Sequence, residues 1–63
     1  MSLVDAIQQY QAIIYEIGLG DNLISLQARR DLPVLRAFLT KELGSVALKS
    51  LTQEAEGKAT RHR

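Results

Sequence analysis

The sequence predicts an all-α fold of three to four short helices, assembled as a dimeric helical bundle. Apolar residues recur at alternating steps of three and four along most of the chain. No stretch shows the strict alternation of a strand, and β-branched residues are few outside the helical patterns. Glycine, serine and aspartate stand where helices of ordinary length would start and stop. With 63 residues, 46% of them apolar, the chain is expected to form one folded domain.

The first helix is expected over residues 2–17, SLVDAIQQYQAIIYEI. Leu3, Ile7, Tyr10, Ile14 and Ile17 form its seam. Ser2 and Asp5 have the spacing of a capping box. Gly18 and Gly20 are expected to stop the helix, because glycine tolerates the left-handed conformation past a helix end. Ala6 and Ile13 widen the seam on one flank, Val4 and Tyr15 on the other, to about 200° at ~100° per residue. Only Asp5, Gln8, Gln9 and Glu16 mark a wet strip. So wide an arc predicts a helix covered on two sides, by its own chain and by a second copy.

Beyond the Gly18-Leu19-Gly20 turn, Asp21 is placed to cap a short helix, Asn22–Arg30. Its apolar residues Leu23, Ile24, Leu26 and Ala28 form no single face. Asp31-Leu32-Pro33 reads as the start of a further helix, with Pro33 in the first turn, where a missing amide costs nothing. Leu32, Leu35, Leu39 and Leu43 line one side of it, widened by Val34 and Phe38. Gly44 would cost about 1 kcal/mol inside a helix, so a break is expected there. Ser45 then caps a last helix, Val46–Ala55, striped by Ala47, Leu48, Leu51 and Ala55. The long N-terminal helix is expected to lie antiparallel to the 33–55 segment. Residues 56–63, EGKATRHR, read as a disordered basic tail, leaving 1–55 as a single helical domain.

Size is the reason to expect self-association. Folding buries roughly 3,500 Å² of apolar surface, worth about 85 kcal/mol, against about 80 kcal/mol of conformational entropy. Cysteine is absent, so no disulfide can help. The single histidine, His62, is next to the chain end in a polar stretch, a poor start for a zinc site. Association is the staple that remains.

Catalysis has little to work with. Nucleophilic chemistry needs a Ser, Thr or Cys beside a base held by a third group. Asp5 and Glu16 share a side of the first helix but are about three turns apart, too far for a carboxylate pair. Asp21, Asp31 and Glu42 fall at expected helix ends, where capping and dipole effects account for them. No enzyme activity, cofactor or metal is expected. No run approaches the ~18 apolar residues of a membrane span, and the start of the chain lacks the basic and long apolar regions of a signal peptide. A chain free of cysteine fits a reducing compartment, so a cytoplasmic location is expected.

What remains is a non-enzymatic interaction protein (an adaptor, inhibitor or regulator) that self-associates and docks on another protein through apolar helix faces. The face expected to serve is Leu3, Ile7, Tyr10, Ile13, Ile14, Ile17, Leu35, Phe38 and Leu39. The alternative is a small dimeric nucleic-acid-binding regulator. Residues 13–30 could form a helix-turn-helix, and every lysine and arginine lies between residues 29 and 63. Arg29, Arg30, Arg36 and Lys41 are then the candidate anion or nucleic-acid contacts. Against this, the recognition helix would begin Asp21-Asn22-Leu23-Ile24, and the net charge is only +1.

Overall fold

Ser2 starts the first helix as its spacing predicts: its Oγ accepts the backbone N–H of Asp5 at 3.1 Å. The computed structural model describes residues 2–20 and 24–61, and among them are three helices and no strand. Helix α1 spans Leu3–Leu19, α2 Leu26–Leu43 and α3 Ser45–Arg61.

The end of α1 corrects the expected glycine stop. The helix runs through Gly18, and Gly20 closes it in an extended conformation, φ 169°, donating its N–H to the Glu16 carbonyl at 3.0 Å. Gly18 is small for another reason: a methyl group there would come within 2.5 Å of Ala59 Cβ on α3.

One helix replaces the two expected between Asn22 and Leu43. The proposed cap Asp21 and the residues Asn22 and Leu23 lie outside the described residues. Ile24 is buried before the helix begins, and Ser25 caps α2 by accepting the Ala28 N–H at 3.1 Å. From there α2 passes through Asp31-Leu32-Pro33 without a break. Continuity keeps Ala28, Leu32, Leu35, Leu39 and Leu43 on one core-facing side at steps of four and three. Pro33 is exposed, so the ladder bond it forgoes falls on the solvent side of the helix. Burial of one stripe outweighs a local start signal.

Gly44 does break the chain's helical run. At φ 91° it ends α2, and α3 begins at the next residue. The fourth helix expected from the sequence is therefore absent among the described residues, because the two pieces before Gly44 are one.

Contacts between α1 and α3 advance together along both helices: Tyr10 meets Thr52, and Gly18 meets Ala59. These helices therefore run parallel. To lead from the end of α1 to the start of α3, α2 must run back between them. The antiparallel arrangement expected for residues 33–55 holds for the α2 part of that segment; the α3 part runs with α1.

Of the expected disordered tail, residues 56–61 are helical, and His62 and Arg63 lie outside the described residues. Helix α3 continues to Arg61, beyond the expected end at Ala55. Its anchor is Ala59, fully buried against the Gly18 notch. One small alanine in EGKATRHR carried little apolar signal, but a close helix crossing needs only a methyl group. Removing residues 57–63 should therefore cost about 1 kcal/mol, a drop of about 4–8 °C in melting temperature at this chain size. An unchanged calorimetric melt would show that this last stretch is not docked.

Candidate functional site

Tyr10, Ile13, Ile14, Leu35 and Leu39 are buried, and Ile7, Ile17 and Phe38 pack half-buried around them. Only Leu3, at 37% exposure, lies at the surface. The face expected to bind a second copy or a partner is thus largely the chain's own core. The Ala6 and Ile13 flank of the α1 seam is buried within the chain, while on the other flank Tyr15 is only half-buried. Val4, the outermost residue of the wide arc, stays 63% exposed.

The core has one polar link. Tyr10 is buried, and its hydroxyl bonds Thr52 Oγ1. Thr52 Oγ1 in turn donates to the Leu48 carbonyl at 2.9 Å, which uses its only proton. The tyrosine is therefore the donor to threonine. Alongside, Gln11 Nε2 donates to the Leu51 carbonyl at 3.3 Å. These bonds fix the register of α1 against α3. Tyr10→Phe should cost about 1 kcal/mol in urea unfolding without changing the fold; no loss of stability would mean the bond adds nothing.

Outside this core, the parallel helices α1 and α3 leave a groove of about 580 Å³. Ala12, Tyr15, Leu19 and Ala55 supply its apolar lining. Gln8, Gln11, Glu16 and Lys58 add amides and both signs of charge. Of the first set, the sequence pattern marks Tyr15 as a flank of the α1 seam and Ala55 on the stripe of the last helix, but neither Ala12 nor Leu19. The signal existed, since Gln8, Ala12, Tyr15 and Leu19 repeat at steps of four, three and four. It marks a second stripe beside the main one. Lys58 also lies 3.5 Å from Glu54 one turn earlier, an exposed pair of little energetic weight.

The four candidate cations do not gather into one face. Arg29, Arg30, Arg36 and Lys41 are all on α2 and all exposed. At ~100° per residue Arg29 and Arg36 share one side, while Arg30 and Lys41 lie roughly 100° or more around the helix. Arg36 lines a smaller hollow of about 350 Å³ with Lys49, and Glu56 lines it too. Residues 20–25 separate α1 from α2, a connection longer than the turn of about three to four residues in a helix-turn-helix.

Among the described residues no group of His, Cys, Asp or Glu could hold a metal ion, and no helix is long and apolar enough to cross a membrane. No family model, curated protein or solved structure matches the chain.

Proposed function

We propose that this chain is a small, non-enzymatic interaction module of the cytoplasm that receives an amphipathic helix of another protein in the groove between α1 and α3. The groove itself carries the reading. An apolar floor with a polar rim suits a helix that presents aliphatic side chains inward and polar ones outward. Glu16 and Lys58 at the rim favour a partner with charges of both signs, and set its orientation more than its affinity.

The reading is tested by capturing helical peptides from a displayed library and mapping the bound peptide by amide chemical shifts. Perturbations should centre on Ala12, Tyr15, Leu19 and Ala55. Leu19→Arg should abolish binding, and binding should depend only weakly on salt, since apolar contacts dominate. Peptides that bind Leu19→Arg as well as the parent would sink the proposal.

The second reading, a dimeric nucleic-acid-binding regulator, keeps one supporting observation: seven of its cations lie on α2 and α3 as exposed side chains, namely Arg29, Arg30, Arg36, Lys41, Lys49, Lys58 and Arg61. It requires steep salt dependence, with a log–log slope of about −0.9 per phosphate neutralised. We expect no sequence-specific duplex binding at physiological salt. Nanomolar binding to a defined site, lost when Arg29 and Arg30 are both changed to Ala, would reverse the ranking.

A further inference from the structure

Gly44 joins α2 to α3 as a single residue, and its backbone, φ 91° and ψ 160°, lies in a region essentially confined to glycine. Helical bonding reaches it from both sides. Its N–H donates to the Thr40 carbonyl at 2.9 Å, and its own carbonyl accepts the Leu48 N–H at 3.1 Å. Both are the four-residue bonds of an α-helix. Rotation of this one residue into the helical region would join the two helices from Leu26 to Arg61, a rod about 54 Å long. The folded chain is only 31 Å in its longest dimension. A joined helix therefore cannot return α3 to the α1 of the same chain.

We propose that the chain has a second folded form, a dimer in which α2 and α3 are continuous and each α3 seats on the α1 of the other copy. The occupant follows from what opening uncovers. The bared face of α1 offers the Gly18 notch for Ala59, the Tyr10 hydroxyl for Thr52 and the Gln11 amide for the Leu51 carbonyl, all in one register. The α3 of a second copy matches all three. Exchange restores every α1–α3 contact in each copy, and α2–α3 is the slightest of the three interfaces. A linker of one residue, which cannot fold α3 back once it turns helical, is the arrangement that favours such exchange. The inference is independent of what the groove binds, since α1 and α3 form that groove in either state.

Sedimentation of the wild-type chain and of Gly44→Ala tests it, together with a spin-label distance. Labels at Arg30→Cys and Thr60→Cys, both exposed, share one end of the closed bundle; the joined helix holds them about 45 Å apart. Labelled chains are diluted into an excess of unlabelled chain, so that only distances within one chain are read. Gly44→Ala should dimerise on the order of a hundredfold more tightly than wild type, because each dimer relieves two hinges. Its distance should be the long one, and the wild type should show the same dimer at millimolar concentration. Two glycines inserted after Gly44 should give a monomer at every concentration. The proposal is overturned by a Gly44→Ala chain that is monomeric, unfolded or dimeric with the short distance. It is equally overturned by a wild type without dimer at millimolar concentration, or by a dimer that survives the glycine insertion.

Discussion

Leu39→Ala should destabilise the chain by about 2–5 kcal/mol, enough to unfold most of a domain this small at 37 °C. Leu39 is completely buried and stands one turn from Leu35, itself 1% exposed, on the core side of α2. Truncation removes its transfer energy and leaves a cavity that the neighbouring helices can only partly close. The companion change Val34→Ala, on the same helix but 59% exposed, should stay within about 0.5 kcal/mol. Urea unfolding followed by circular dichroism measures both. Similar losses for the two would mean that α2 does not present the face described. The comparison also bears on assembly: a large Leu39 effect in a chain shown to be monomeric would place the stabilising core within one copy.

Gly18→Ala should cost about 1–2 kcal/mol, against the direction that helix propensity alone would give. Alanine is favoured over glycine inside a helix by about 1 kcal/mol. Here the new methyl group would lie 2.5 Å from Ala59 Cβ, and neither carbon is the end of a flexible side chain. One helix must move away, at an overpacking cost of about 1–3 kcal/mol. Ala59→Gly in the same chain should return much of the loss, because it moves the methyl group from one wall of the crossing to the other. Gly57 is the control: it too lies within a helix, but nothing stands within 4 Å of a Cβ there. Gly57→Ala should therefore raise stability by about 0.5–1 kcal/mol. Thermal melts of the wild type and the three variants decide it. A stabilising Gly18→Ala would refute the close crossing of α1 and α3, and with it the walls of the proposed groove.

Much of the architecture is local in origin and was legible. The Ser2 cap, the seam of α1, the leucine stripe from Leu32 to Leu43 and the break at Gly44 all act within a few residues of chain, through capping bonds, side-chain periodicity and backbone sterics. Three features were decided elsewhere. Helix α2 passes through Pro33 because the buried face from Ala28 to Leu43 is worth more than one ladder bond on the solvent side. Helix α3 reaches Arg61 because Gly18, distant in sequence, leaves space for Ala59. The groove arises only where α1 and α3 lie side by side, so Ala55 and Lys58 could not be joined to Ala12 and Leu19 by reading along the chain. The wide apolar arc of α1 was likewise visible, yet whether it faces a second copy or its own helices depends on topology, which periodicity does not encode. The sequence by itself determined which residues turn inward and where a turn is required. Only the tertiary structure decided what those inward faces meet, because contact energies are settled between segments far apart in the chain.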